Sequence, residues 1–215
     1  MTLILTLVVL CSGCLVQTTR GGQPSALKLS AHEIEERLSA PVFNQVAYEE
    51  ASVDGANGTK LWLNTYRPSD AQDPVPVILV MTPYRALSDA KSTACTDIPR
   101  QQCPYLPDLV DFYVPRGYAV AFADVRGNHN SGGCSDFASL DIGQDGYNVV
   151  EWLAARPWSN GRVGMYGGSY DADAQIATAS LNPPHLVTIV PTAATTSSYD
   201  YFFYEGVPYL LQGPL

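Results

Sequence analysis

The order of apolar and polar positions cuts the chain into short segments. Val46–Val53 and Lys60–Tyr66 read as strands, and the intervening Asp54-Gly55-Ala56-Asn57-Gly58 is a strong hairpin turn sequence. Val75–Met81 is a continuous apolar run of strand length, and the run from Tyr118 to Ala123 is another. Such runs predict strands buried on both faces, as in a parallel sheet. Val163–Tyr166 and Leu186–Val190 are shorter strands of the same kind. Between them, Leu106–Tyr113 has helical spacing and stops before Pro115. Asp141–Ala155 places Tyr147, Val150, Leu153 and Ala154 on one helical face, with Pro157 just beyond. Tyr170–Ser180 is Ala-rich and helical. Strands alternating with helices predict an α/β fold: an open, mostly parallel sheet flanked by helices.

The N-terminal forty residues follow a different pattern. The apolar run Leu3–Leu10 is too short to span a bilayer, which needs roughly 20 residues, and fits the core of a secretory signal. Ser12-Gly13-Cys14 resembles the end of a bacterial lipobox, which would make Cys14 the lipidated first residue of the mature chain. Cys11 stands where a lipobox usually has Leu, and the first basic residue is Arg20, after the run. An ordinary signal peptide or an N-terminal strand are the alternatives. Residues 1–14 are therefore expected to be a signal. Residues 15–40 are expected to be a tether plus a short helix, opened by the Ser30/Glu33 capping-box spacing and ended by Pro41. Export to the periplasm or cell envelope follows, lipid-anchored if Cys14 is modified.

Composition narrows the partners. The 215 residues are 46% hydrophobic and 15% charged, a folding composition, and the formal net charge is -9. An acidic surface disfavours nucleic acid and anionic membranes. Of the five cysteines, Cys95 and Cys103 flank a polar stretch and could close a loop as a disulfide, leaving Cys134 odd. The alternative is three reduced thiols. No CxxC pair or His/Cys cluster points to a metal, and no cofactor is expected.

The chemistry concentrates at Gly167-Gly168-Ser169-Tyr170, between the strand Val163–Tyr166 and the helix from Tyr170. A serine on a sharp strand-to-helix turn projects its hydroxyl above the sheet, as a nucleophile should. The backbone N–H of Tyr170, at the helix N-terminus, can stabilise an oxyanion. The second oxyanion donor in such folds comes from the loop after an earlier central strand. Here that loop is Thr82-Pro83-Tyr84-Arg85, and the Tyr84 phenol is placed to reach the pocket. Asp124 and Arg126 follow the next strand and are expected to brace the loops as a pair, with substrate-carboxylate binding by Arg126 the alternative. Asp171 and Asp173 fall in the first turn of the helix, where the dipole favours acids; the alternative is attraction of a substrate ammonium.

Four segments together resemble a known family. They are TPY at 82–84, DVRG with Ser131-Gly132-Gly133, EWLAARPWSNGRVGMYGGSY, and PPHLVTIVP. They are similar to the Xaa-Pro dipeptidyl-peptidase and cocaine-esterase family of α/β-hydrolases, which also holds α-amino-acid ester hydrolases and glutaryl-cephalosporin acylases. The resemblance runs from about Val46 to the end and is densest between Gly117 and Pro191. It implies an α/β-hydrolase fold over 41–198, with 199–215 entering a helical cap. It implies Ser169 as nucleophile, the Tyr84 hydroxyl and the Tyr170 N–H as oxyanion donors, and an ester, amide or peptide substrate. Ala172 departs from the glycine usual in the family, and Asp171 is an unusual neighbour for the nucleophile.

A serine nucleophile needs a general base, normally His, held by an acid. In α/β-hydrolases both follow the serine. His185 is the one histidine after Ser169, and one helix reverses the chain between them, which puts His185 at the opposite end of the sheet. His129 precedes Ser169, and His32 sits in the N-terminal helix. The expectation is therefore the N-terminal part of a longer serine hydrolase, truncated before the cap and last strands, with its acid and base beyond Leu215. The competing readings are an inactive fragment, an envelope-anchored binding module, or a protein completed by a partner chain.

Overall fold

A computed structural model of the chain describes residues 30, 38–85, 106–135, 140–195, 197, 199 and 203–208. The chain divides into two units, Met1–Ser39 and Ala40–Leu215. The first lies almost wholly outside the described residues, and every element below belongs to the second. The signal with Cys14, the residues Cys95 and Cys103, and His32 fall outside the described residues, while Cys134 is a free, exposed thiol.

The sheet is built from β1 (Val46–Asp54), β2 (Lys60–Pro68), β3 (Val75–Thr82), β4 (Ala119–Asp124), β5 (Ser159–Gly168) and β6 (Leu186–Thr192). Its spatial order is β1-β2-β4-β3-β5-β6. β4, β3, β5 and β6 run parallel, whereas β2 is antiparallel to both β1 and β4. The result is the mostly parallel α/β-hydrolase sheet that the alternating pattern predicts, with an antiparallel hairpin on one side. The hairpin turn is a single 3-10 turn at Ala56–Gly58, where Asn57 (φ 56°) and Gly58 (φ 73°) take the left-handed conformations these residue types tolerate.

The continuous apolar runs bury both faces of the central strands. Val77, Leu79 and Met81 of β3 join Ala119, Ala121 and Ala123 of β4 beneath α2 (Leu140–Ala154) and α3 (Tyr170–Ser180). Val80, Val120 and Phe122 face the other way, against Leu109 and Val110 of α1 (Pro107–Tyr113). All six residues of β4 are buried. Each buried Val, Leu or Phe contributes about 1.5–3 kcal/mol, so these two layers fix the register of the strands that carry the site.

Element edges differ from the pattern where polar residues carry the pairing. β5 extends well beyond Val163–Tyr166, because Ser159 pairs with Val75 at one end and Gly167 and Gly168 pair with Pro191 and Thr192 at the other. Backbone pairing needs no apolar side chain, so periodicity does not mark these ends. Most of the C-terminal stretch 199–215, where the cap entry is expected, lies outside the described residues; within it, Phe203–Tyr204 and Val207–Pro208 form a short antiparallel hairpin. Glu205 and Gly206 take positive φ there, which turns the chain back on itself.

Candidate active site

The parallel strands end level with one another. Thr82 pairs with Asp124 at the ends of β3 and β4, and Gly168 pairs with Thr192 at the ends of β5 and β6. The loops that follow them therefore meet at one edge, the carboxyl edge where open α/β sheets carry ligands.

Ser169 stands at that edge between β5 and α3, with φ 57° and ψ -126°. A non-glycine residue held there costs on the order of 1–3 kcal/mol and persists only when its surroundings fix it. Three hydrogen bonds do so. The Ser169 N–H donates to the Thr192 carbonyl at 3.0 Å, and the Ser169 carbonyl accepts from the N–H groups of Ala172 and Asp173. Gly167 is required beneath it: its φ is 145°, and a Cβ there would lie 2.5 Å from the Asp171 Cβ. Gln175, fully buried, donates to the carbonyls of Gly167 (3.1 Å) and Asp171 (3.0 Å) and accepts from the Val190 N–H at 2.9 Å. One amide thus fastens the elbow, α3 and β6 together.

The Tyr84 hydroxyl donates to Ser169 Oγ at 3.1 Å and accepts from the Tyr170 N–H at 3.4 Å. The Tyr170 ring is buried in the core beneath the elbow, which leaves its backbone N–H at the site. Tyr84 itself is held from both sides. Its N–H donates to Thr82 Oγ1 at 3.1 Å. The next residue, Arg85, is buried and forms an ion pair with Asp124 at 2.8 Å. Its Nη2 donates to Asn64 Oδ1 and to the Phe122 carbonyl. Asp124 also meets His129 Nδ1 at 3.1 Å and the Asn130 N–H at 3.4 Å. Burial pushes the Asp124 carboxyl up, and Arg85 and then His129 pull it back down.

The expected Asp124–Arg126 pair does not form. β4 ends at Asp124, and Arg126 runs instead to α2. There it forks onto Asp145 with two bonds of 2.7 Å, reaches Asp141 at 2.7 Å and caps the Ala56 carbonyl at 3.4 Å. A fully buried Asp145 needs a cation, and the planar guanidinium satisfies both its oxygens at once. Arg126 is buried and its fork is occupied, so it offers nothing to a substrate carboxylate.

The two acids of the α3 first turn take separate tasks. Asp173 Oδ1 accepts from the Thr195 N–H (2.7 Å) and hydroxyl (3.0 Å), tying α3 to the loop after β6. Asp171 is 2% exposed and wedged beneath Gly167, so it does not face a substrate ammonium. Burial raises its carboxyl to about 7, against the lowering effect of a hydrogen bond from the Thr82 hydroxyl. Its Oδ1 has no hydrogen-bond partner among the described residues.

The described histidines have other partners than Ser169, whose Oγ meets Tyr84. His185 opens β6 at the amino edge of the sheet, where Nδ1 meets Glu151 at 2.7 Å. His129 is engaged with Asp124. Sequence reasoning passed over Thr82, Arg85, Gln175 and the Asp141/Asp145 pair. The i, i+4 spacing of the two acids on one helix was a usable sign of a shared cation; a lone Gln in an Ala-rich helix was the only sign of the Gln175 clasp.

Comparison with known proteins agrees with this geometry. The model of the X-Pro dipeptidyl-peptidase (S15) family matches residues 54–214. A protein of Streptomyces avermitilis assigned as an Xaa-Pro dipeptidyl-peptidase is 30% identical over 210 residues, covering 83% of this chain and 31% of its own. The cocaine esterase of a Rhodococcus species is 34% identical over 145 residues, covering 66% of this chain and 23% of its own. Among solved structures, a CocE/NonD family hydrolase from Staphylococcus aureus superposes with a TM-score of 0.64 at 30% identity, over 78% of this chain and 31% of that one. The chain spans about a third of the length of the first curated relatives it matches. With an α/β-hydrolase sheet, a serine on a strained elbow and a family match over most of its length, the chain belongs to the X-Pro dipeptidyl-peptidase (S15) family.

Proposed function

We propose that the chain carries the nucleophile and oxyanion hole of a serine hydrolase acting on acyl-ester or peptide bonds. One observation carries the reading: a single phenol oxygen, that of Tyr84, lies within hydrogen-bond reach of both Ser169 Oγ and the Tyr170 N–H. Ser169 Oγ attacks the substrate carbonyl carbon as a general base removes its proton. The carbonyl oxygen becomes an oxyanion and takes the place between the two donors; at rest the Tyr84 O–H donates to Ser169 Oγ and the Tyr170 N–H to the Tyr84 oxygen. The Tyr84 O–H and Tyr170 N–H then both donate to it, each worth roughly 3–4 kcal/mol of barrier in sites of this kind. Collapse expels the alcohol or amine and leaves an acyl-enzyme on Ser169, which water then hydrolyses.

In this reading the acid and base are residues other than His185, which lies at the amino edge of the sheet, and His129, which precedes Ser169 against the usual order of serine, acid, histidine. The names of the relatives, Xaa-Pro dipeptidyl-peptidase and cocaine esterase, support the ester and peptide classes as substrates. The test uses the protein expressed from its complete reading frame, with p-nitrophenyl esters and Xaa-Pro-p-nitroanilides. A burst of nitrophenol or nitroaniline equal to the enzyme concentration, lost in Ser169→Ala, is the expected result. Turnover that survives Ser169→Ala refutes the assignment.

The apolar run followed by Ser12-Gly13-Cys14 supports export and a lipid on Cys14 as a further part of the proposal. Incorporation of labelled palmitate, abolished by Cys14→Ser, is the expected outcome. Unlabelled protein in the soluble fraction counts against it.

A further inference from the structure

The strained backbone of Ser169 relaxes unless its neighbours hold it, and a misplacement of about 1 Å at a reacting atom can cost a hundredfold in rate. The end of β5 and the first turn of α3 are the two arms of the elbow, and one side chain reaches both. Gln175 is fully buried on the inner side of α3. Its Nε2 donates to the Gly167 carbonyl, two residues before the nucleophile, at 3.1 Å, and to the Asp171 carbonyl, two residues after it, at 3.0 Å. Its Oε1 accepts from the Val190 N–H at 2.9 Å. These partners settle the orientation of the amide, because a carbonyl only accepts and an N–H only donates. Val190 lies on β6, two residues before Thr192, whose carbonyl accepts the Ser169 N–H at 3.0 Å. The contacts therefore close a ring: from Ser169 to Thr192, along β6 to Val190, and through one amide back to both arms of the elbow.

We propose that Gln175 is a positioning residue of the nucleophile, setting the strand-to-helix angle that aims Ser169 Oγ at the Tyr84 hydroxyl. The inference rests on the nucleophile reading above and names the group that keeps the elbow in its reactive shape. Packing alone does not call for an amide here: an apolar side chain such as Met would fill the same space with no polar group to desolvate. What the amide adds is two donors and an acceptor in one plane. A glutamate has the same shape but a different supply of protons. Neutral, it accepts from Val190 and donates its O–H to one of the two carbonyls. Ionised, it has no donor and faces both carbonyl oxygens with negative charge. Burial raises a carboxyl, so Gln175→Glu makes the clasp depend on pH.

The test uses the protein expressed from its complete reading frame. The first readout is the second-order rate at which an ethoxy fluorophosphonate labels Ser169, measured at a temperature where circular dichroism shows each variant folded. Gln175→Met is expected to slow labelling by about tenfold or more. Gln175→Glu is read as a ratio to the parent at each pH, which removes the titration of groups both proteins share, Asp171 and Asp173 of the same helix among them. That ratio is expected to stay within about threefold at about pH 5.5 and to fall by about a further tenfold by about pH 8.5. A role confined to stability would leave the ratio flat while both proteins stay folded, and the ratio decides the question even if Gln175→Met fails to fold. The second readout is amide hydrogen exchange: Gln175→Met is expected to speed exchange at Val190 and Ser169 while β4 keeps its protection. Labelling of Gln175→Met at the parent rate, a Gln175→Glu ratio that does not fall with pH, or unchanged exchange at those two amides overturns the positioning role. A parent protein that the probe does not label at Ser169 refutes the nucleophile reading itself, which separates that failure from the failure of the role given to Gln175.

Discussion

Replacing Asp171 with Asn removes an ionisable proton from beneath the elbow while keeping the shape of the side chain. The carboxyl is 2% exposed, and burial lifts it from 3.8 to about 7. At about 1.36 kcal/mol per pH unit, that difference is on the order of 4 kcal/mol of stability. The sign follows from proton counting. Below pH 3.8 the group is protonated in both folded and unfolded chains, and burial carries no ionisation cost. As pH rises, the unfolded chain loses this proton first and the folded chain still holds it, so stability falls with pH until the folded group also ionises near 7. An Asn there is neutral throughout. Urea unfolding of parent and Asp171→Asn proteins at pH 5 and pH 8.5 measures the difference. The variant is expected to be the more stable at pH 8.5 by a few kcal/mol, with a markedly smaller gap at pH 5. Asp124 has a raised carboxyl of its own, but both proteins share it and it cancels in the comparison. Parallel curves, with the same difference at both pH values, would show that Asp171 is not held neutral by burial and would remove the reasoning.

Three further substitutions follow from the geometry. Tyr84→Phe deletes the hydroxyl shared by Ser169 Oγ and the Tyr170 N–H, and is expected to slow fluorophosphonate labelling by roughly a hundredfold with little change in melting temperature. Arg126→Met strands the buried Asp145 carboxylate and is expected to cost about 3–5 kcal/mol in urea unfolding at pH 7; a loss below about 1 kcal/mol would mean that the pair is dispensable. Gly167→Ala sets a Cβ 2.5 Å from that of Asp171 at a φ of 145°, so a loss of several kcal/mol is expected, visible as a lowered melting temperature.

The sheet and the elbow were readable from sequence because they rest on features that sequence displays directly. A strand buried on both faces must be apolar throughout, and the runs at β3 and β4 are. The helix from Tyr170 to Ser180 starts directly after Ser169, where the chain turns out of β5, and its limits match the structure. The polar framework was not readable, because its partners are distant in sequence. Arg126 and Asp124 are two residues apart, which suggested a pair, yet Arg126 finds Asp145 and Asp124 finds Arg85. Only the turn of the chain after β4 decides that. Asp171 shows the same limit: its place in a first helical turn suggested an acid favoured by the helix dipole, whereas it is buried beneath Gly167, and burial raises its carboxyl to about 7.

Everything proposed for this site depends on Ser169 being the nucleophile. The most direct measurement is mass spectrometry of the protein after reaction with an ethoxy fluorophosphonate, using the product of the complete reading frame. The account predicts one phosphonyl adduct, on the peptide containing Gly167-Gly168-Ser169-Tyr170, and none in Ser169→Ala. An adduct on a different residue, or a folded parent protein that takes up no probe, would contradict it.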